Sequence, residues 1–575
     1  MSPQLKRWKI EKPLGADQIA RMPDLPPLLV QLLFNRGIRE PAGAQAFLEG
    51  RVSHNDPFKM KGVPEAVTRL RQAIRSGEQI AVYGDFDADG VTATTLLVQV
   101  LSALGARVQP YIPHRVNEGY GLNLDALRTL YRRGARLVVT VDCGIRSVRE
   151  VSRASRGLDL VVTDHHTPGE ELPPAVAIIN PKQPGCPYPY KDLAGVGLAF
   201  KLAQALLRNQ EQMGGPAPLP EESLLDLVAL GTVADLSPLR KENRSLVRHG
   251  LEVINRSSRP GIEALMAEAG VRRGDVDAIA IGFRLAPRLN AAGRIDTAML
   301  AYELLSNTDP LQTRNLARQL GELNSRRQRL TEETFAAAEA LVAEDDPDAY
   351  LHLAASKDFE SGIVGLAASR LTEAHYRPSV VVELGDQQSR GSCRSIPEFN
   401  ITEALDQCRD LLIRHGGHAA AAGFTVANEN LQPLKDRLQT IAARQLASVD
   451  LQPKLRIDME LPLDQVDWAT RALLDQMEPC GMANPQAVLL SRNVKVQRAR
   501  AIGGGGRHLK LALSDGRGVA WDAIYFQAGD RLAEAQAAGH LDLVYTLEVN
   551  EWNHRKRLQL NVQDFRQEPG VPSPE

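Results

Sequence analysis

Four apolar runs that end on acidic residues set the pattern of the first half of the chain. Ile80–Tyr83 leads into Gly84-Asp85-Phe86-Asp87-Ala88-Asp89-Gly90. Leu137–Val141 ends at Asp142, Leu158–Thr163 at Asp164-His165-His166, and Leu227–Ala234 at Asp235. Short apolar runs bounded by turn residues read as buried strands; the last of the four reads equally well as a helix. Helical spacing fills the stretches between them. Strands alternating with helices predict a parallel sheet whose carboxyl ends share one edge. From Asp309 to Ala343 the period changes. Leu316, Leu320, Leu323 and Leu330 recur at helical intervals with Arg314, Arg318, Arg326, Arg327 and Arg329 between them, predicting one long helix with most of its arginines solvated. Asp345-Asp346-Pro347-Asp348 breaks it. Strands at 349–354 and 379–384 then open a second α/β region. Beyond residue 454, strand patterns with turns at Gly503–Gly506 and Ser514–Arg517 predict a small barrel.

This divides the chain into a helical cap (1–61), an α/β domain (62–308), a connecting helix (309–345), a second α/β domain (346–450), a strand-rich module (451–566) and a disordered tail (567–575). The 575 residues are 43% hydrophobic and 24% charged, as in globular proteins. Net charge is only −2, so attraction to nucleic acid rests on local patches. One such patch lies in the last module. Arg492, Lys495, Arg498, Arg500, Arg507, Lys510 and Arg517 face one acid, Asp515, with Trp521, Tyr525, Phe526 and Trp552 nearby. Basic strands with aromatic rings suit single-stranded nucleic acid, although any one ring serves equally well as core filler. All the acidic element ends precede residue 450, so this module is expected to act as a separate binding platform.

Five scattered cysteines without a C-x-x-C pair exclude zinc ribbons and thioredoxin-like chemistry, and fit a reducing cytoplasm. The run Leu28–Phe34 is too short to cross a membrane. No G-x-x-x-x-G-K-[ST] motif is present, so no nucleotide-driven motor is expected.

The acids carry the chemistry. Asp85, Asp87 and Asp89 crowd one strand end and repel one another unless a cation neutralises them. The first run alone is also satisfied by a polar turn with solvated acids. Four coincident acidic element ends and a His-His pair are hard to explain as packing, because buried carboxylates are costly and costlier together. Oxygen donors of this kind suit Mg²⁺ or Mn²⁺, and an imidazole among them favours Mn²⁺.

With these motifs the chain resembles the DHH phosphoesterase superfamily and, within it, the family of bacterial single-stranded-DNA exonucleases. Pro113–Gly121, Leu193–Gly197, Pro287–Arg294 and Gly416–Gly423 extend the likeness over nearly the whole chain. The resemblance implies two α/β domains (DHH and DHHA1-like) joined by the long helix, plus a C-terminal β-barrel of the OB-fold. It implies two divalent ions, Mn²⁺ or Mg²⁺, with Asp142 bridging. Asp87 binds one ion with Asp85 beside it; Asp89, His165 and Asp235 bind the other. His166 then stabilises the transition state or leaving group, with Asp164 orienting the imidazoles. Arg115, Arg288, Arg294, Ser392, Arg394 and His418 are implied DNA contacts, with Ser392 and Arg394 receiving a 5′-terminal phosphate. The expected partners are single-stranded DNA, a helicase and single-stranded-DNA-binding protein, for a monomer working in recombination and repair. A DHH enzyme on small phosphates or nano-RNA, and a non-catalytic replication scaffold, are the alternatives. Two departures from the family pattern, Phe359-Glu360 and the Cys393 of Ser392–Ser395, are expected to alter DNA contacts of the second domain.

Overall fold

The chain enters through a strand, β1 (Arg7–Ile10), before the helices Pro27–Asn35 and Pro41–Glu49. In this computed structural model the described residues are 6–50, 55–115, 118–119, 121–256, 259–515, 519–552 and 555–567. They fall into two compact units. One comprises Gly50–Glu332 and Pro479–Asn484; the other comprises Met1–Glu49, Glu333–Glu478 and Pro485–Glu575.

The first unit is built on a parallel sheet of β2 (Gln79–Tyr83), β3 (Arg107–Tyr111), β4 (Ala135–Val141), β5 (Asp159–Thr163) and β6 (Ala177–Ile179). Their spatial order is β3-β2-β4-β5-β6, every pair parallel. Val82, Val139 and Val161 are fully buried, which accounts for the continuous apolar runs of the central strands. Helix α1 (Ala88–Ala103) follows β2 and packs against α2 (Gly195–Gln212) and α3 (Leu225–Ala234). These three helices are buried over most of their length, and α1 and α3 in particular carry little polar-apolar alternation. This explains why Leu227–Ala234 imitates a strand in sequence. The stretch is helix α3, and Asp235 is its C-cap residue. The parallel edge therefore gathers three strand ends and one helix end. Helix α4 (Ala286–Ile295) completes the surroundings of the site.

Helix α5 (Pro310–Asp345) is one continuous element running from the first unit into the second. On it Leu320 is buried, while Arg314, Arg318, Arg326 and Arg329 are exposed and Arg327 is half-buried. In the second unit β7 (His352–Ser356), α6 (Val364–His375), β8 (Ser379–Glu383), β9 (Gln388–Arg394), β10 (Leu412–His418) and β11 (Ala421–Ala427) form a mixed sheet ordered β10-β11-β9-β8-β7. Each of the two departures from the family pattern places one residue in its packing. Phe359 and Cys393 are both buried in apolar clusters, and Cys393 alternates with Ser392 and Arg394 along β9. These two side chains fill cores, while Glu360 beside Phe359 is exposed.

The N-terminal segment is more than a helical cap, because β1 pairs in parallel with β12 (Lys454–Ile457), at the opening of the last module. After β13 (Met459–Glu460) and helix α7 (Trp468–Asp475) come β14 (Leu489–Ile502), β15 (His508–Ser514), β16 (Ala520–Tyr525), β17 (His540–Trp552) and β18 (Arg555–Gln567). Their order, β14-β15-β16-β18-β17, closes on itself through β14–β17 pairing. This five-strand closed barrel is the OB architecture. Trp521 and Tyr525 are buried and serve as core, whereas Phe526 is exposed, edge-on to His508. Arg492 is committed to ion pairs with Glu460 and Asp542; Lys495, Arg498 and Arg500 are exposed. Gly516, Arg517, the Trp552 side chain and tail residues 568–575 lie outside the described set. No helix among the described residues is long and apolar enough to cross a membrane.

Candidate metal centre

Asp85 and Asp87 lie in the turn between β2 and α1, and Asp89 in the first turn of α1. The Asp87 carboxylate caps that helix by accepting from the amides of Asp89 and Gly90, both at 3.0 Å. Asp89 is held from elsewhere: the amides of Gly195 and Val196, opening α2, donate to its two oxygens at 2.7 and 2.8 Å. Gly195 also lets α2 approach the next acid closely, since a Cβ there would stand 2.7 Å from Asp142 Cβ. Asp142 follows β4 with φ of 62°, a left-handed conformation uncommon in a residue with a side chain. Such a conformation costs about 1–3 kcal/mol and is concentrated at functional sites.

The strand ends converge. Three overlapping groups each hold their donor atoms within 4.8 Å: Asp85, Asp87 and Asp142; Asp89, His165 and Asp235; and Asp142, His165 and His166. His165 stands between two acids, with Nε2 3.1 Å from Asp142 Oδ1 and Nδ1 4.0 Å from Asp235 Oδ2. His166 turns to Asp164, with Nδ1 2.7 Å from Asp164 Oδ1. Asp164 is fully buried and also accepts from the amides of Ile145 and His166.

The electrostatics separate the groups by task. Burial pushes the pKa values of Asp85, Asp89 and Asp142 well above the carboxylate range, and their mutual repulsion pushes the same way. Burial likewise raises Asp235 to about 6, against the 2.6 Å bond from Ser237 Oγ. His165 is driven down to about 3 by burial and by His166, so it is neutral and its lone pairs suit a cation. Burial opposes a charge on His166, but the Asp164 bond and nearby carboxylates outweigh it and raise its pKa. Asp164 is held below the usual range, because His166 and the two amides overcome its burial.

This donor set fits divalent cations. Asp85 Oδ1 and His165 Nε2 are buried without a hydrogen bond among the described residues. Oxygen donors combined with neutral imidazole match hard to borderline ions.

Of the other expected contacts, Arg115 lies beside the cluster, its guanidinium 4.8 Å over the Phe86 ring and its charge facing Asp85 and Asp87. Arg288 and Arg294 lie on α4; Arg288 Nη1 donates to the Arg284 carbonyl, and its buried Nε makes no hydrogen bond among the described residues. Ser392, Arg394 and His418 belong to the other unit. There Ser392 pairs with Gly423 and Gly423 with Gly416; Arg394 pairs with Ala421 and Ala421 with His418. Arg394 Nη1 reaches Ser392 Oγ at 3.3 Å. Sequence reasoning passed over two supports of the site. Asn290 Oδ1 accepts from the amide of Ala88 at 2.8 Å, and the Gly195-Val196 amides anchor Asp89. A small residue opening a helix within Leu193–Gly197 was the available signal for the second.

Comparison with known proteins gives the class first. The DHH family, N-terminal domain, matches residues 79–232, the DHHA1 domain residues 348–444, and the RecJ OB domain residues 457–564. A Bacillus subtilis protein named single-stranded-DNA-specific exonuclease RecJ is 39% identical over 565 residues, covering 97% of this chain and 70% of that protein. The crystal structure of RecJ from Thermus thermophilus in complex with Mn²⁺ superposes with a TM-score of 0.83 at 32% identity, covering 98% of this chain and 80% of that one. The Mg²⁺ complex of the same protein gives 0.78 at 30% identity, covering 98% and 79%. The chain belongs to the RecJ family.

Proposed function

We propose that this protein is a metal-dependent exonuclease that removes nucleotides from single-stranded DNA in the 5′→3′ direction, in recombination and repair. The observation that carries the reading is the overlap of three donor groups on Asp142 and His165 in a chain of the RecJ family. Asp85, Asp87 and Asp142 would hold one divalent ion, and Asp89, His165, Asp235 and the shared Asp142 the other. Mn²⁺ or Mg²⁺ is the candidate, in keeping with the complexes of the Thermus relative. When bound, two such cations neutralise the scissile phosphate and acidify a water.

This chain's own groups do the rest. Asp164 fixes the His166 tautomer by taking the Nδ1 proton in a hydrogen bond, which leaves Nε2 to meet the scissile phosphate or leaving oxygen. Arg115 offers a guanidinium beside Asp85 and Asp87, and Arg288 and Arg294 extend the cationic contacts along α4. In the other unit, Arg394 and Ser392 would take the 5′-terminal phosphate and His418 would contact the strand, with small residues of β10 and β11 giving close backbone approach. The exposed Lys495, Arg498 and Arg500 of the barrel would follow the strand's phosphates. The protein is expected to act as a cytoplasmic monomer, with a helicase supplying the strand and single-stranded-DNA-binding protein covering it.

Two end-blocked oligonucleotides test the reading. With Mn²⁺, a strand blocked at its 3′ end should be digested, one blocked at its 5′ end should survive, and excess EDTA should stop all cleavage. Digestion of the 5′-blocked strand alone reverses the polarity. Turnover of pyrophosphate without DNA cleavage moves the protein to the small-phosphate branch.

A further inference from the structure

Pro479-Cys480-Gly481-Met482-Ala483-Asn484 is followed by β14 and preceded by α7, yet it packs in the unit that holds the acidic cluster. It docks on Leu236–Arg240, the loop that leaves Asp235. The Leu239 amide donates to the Met482 carbonyl at 2.8 Å, and Arg240 Nε donates to the Ala483 carbonyl at 2.9 Å. Gly481 lies so close to the buried Leu239 that a Cβ would meet Leu239 Cδ1 at 2.8 Å.

The segment is shaped in advance. Gly481 and Asn484 exchange backbone bonds of 2.8 and 3.1 Å, and the buried Asn484 side chain donates to the Pro479 carbonyl at 2.9 Å. Ala483 holds φ of 62°, a conformation that persists only where its surroundings impose it. The opposite side of the loop is also held: the Pro238 carbonyl accepts from Tyr190 Oη and Asn243 Nδ2, each at 3.2 Å. At the head of this doubly gripped loop is Asp235, whose Oδ2 takes the Ser237 hydroxyl.

We propose that Pro479–Asn484 is a positioning clasp for Asp235. It fixes the carboxylate within its group with Asp89 and His165, and so sets the affinity of that group for a divalent cation. The inference rests on reading Asp235 as a ligand. Ser237 is the group bonded to the Asp235 carboxylate, and the clasp acts through the loop that carries both. Groups bonded directly to a metal ligand change metal affinity about 10–100-fold, which bounds the effect of the clasp from above. A consequence is that the barrel module is not separable from catalysis. Removing the chain beyond residue 450, expected from sequence to spare the chemistry, also removes the Met482 and Ala483 carbonyls from the Asp235 loop.

The test is Mn²⁺ binding to the full chain without DNA, read by electron paramagnetic resonance of free Mn²⁺ in wild type, Asp235→Ala, Gly481→Leu, Arg240→Ala and Gly481→Leu/Leu239→Ala. Gly481→Leu should weaken one site, by up to about tenfold. Arg240→Ala, an exposed change that removes only one bond to the clasp, should weaken the same site by a smaller but measurable factor. Adding Leu239→Ala should restore binding by making room. Cleavage should recover at saturating Mn²⁺, and DNA affinity in EDTA should match wild type. Unchanged Mn²⁺ binding in Asp235→Ala would show that the ligand reading is wrong. Loss in Asp235→Ala with wild-type binding in folded Arg240→Ala and Gly481→Leu would overturn the clasp. Should Gly481→Leu fail to fold, Arg240→Ala decides alone.

Discussion

Lys201 and Asp142 are both buried charges in the unit around the parallel sheet, and the protein treats them differently. Lys201 Nζ meets Glu242 Oε1 at 2.6 Å, with Gln204 Oε1 at 2.9 Å, and Tyr188 Oη donates to both oxygens of Glu242 at 2.9 Å. Opposite charges and hydroxyls there complete one another without outside help. Around Asp142 the neighbours of like sign are Asp85, Asp87, Asp89 and Asp235, and each raises the cost of the others. The first arrangement is a closed structural knot. The second gathers acids whose like charges a divalent cation would balance, which is the physical difference between a buried ion pair and a candidate binding site.

The comparison is broken most severely by Asp142→Ala. It should lower DNA cleavage by more than about 100-fold, the upper range for residues one shell further out, while leaving the fold intact. Because it removes repulsion, the variant should melt higher than wild type in EDTA. Full nuclease activity in a folded Asp142→Ala protein would falsify the site assignment.

Lys201→Met attacks the other cluster. Leaving Glu242 buried and unpaired should cost about 3–5 kcal/mol of stability. Removing both charges with Lys201→Met/Glu242→Leu should recover most of it. Denaturant melts of the three proteins check this, and a double variant as unstable as the single one would contradict the closed-knot description.

A third buried polar group tests the same idea by pH. His352 makes no hydrogen bond through either ring nitrogen among the described residues and stacks on His375 at 4.9 Å. Burial, then His375 and Arg377, push its pKa down to about 4. The folded state therefore prefers neutral His352, so its contribution is full above about pH 6.5. It is lost as pH falls from there through about 4. The loss should be on the order of 3 kcal/mol, and His352→Leu should flatten the stability curve in that window. An unchanged slope would remove His352 as its source.

Mn²⁺ sharpens the contrast at a smaller scale. At a free concentration of about 100 times Kd it should stabilise wild type by about 2.7 kcal/mol. It should do little for Asp142→Ala, and Lys201→Met should keep the response. The smallest effect is expected on the barrel. Arg500→Ala should reduce the salt slope of DNA binding by about 1, whereas Arg492→Ala, already bound to Glu460 and Asp542, should leave it unchanged. Equal slopes in the two variants would mean that exposure on β14 does not select the phosphate contacts.

Much of the candidate metal centre was visible along the chain, because a buried strand and the acid that ends it are neighbours in sequence. Asp85, Asp87, Asp142 and His165 follow directly from that pattern. Asp235 was visible as an acid closing an apolar run, but its element was ambiguous, since a helix buried all round has no period to show. The rings of the barrel were equally ambiguous. Trp521 and Tyr525 turned inward and Phe526 outward, a choice set by β16 register and by where that strand ends.

The sequence by itself determined the alternation of elements, the long helix α5, the acidic element ends and the donor types that suit a divalent cation. These are local properties, written in spacing and side-chain chemistry. Only the tertiary structure decided that the Gly195 and Val196 amides hold Asp89, that Asn290 caps the start of α1, and that the Ala483 carbonyl grips a residue 243 positions earlier. Each of these contacts has a backbone atom at one end. Nearly every residue carries the same amide and carbonyl, so no residue type announces such a contact, and only the path of the folded chain brings it about.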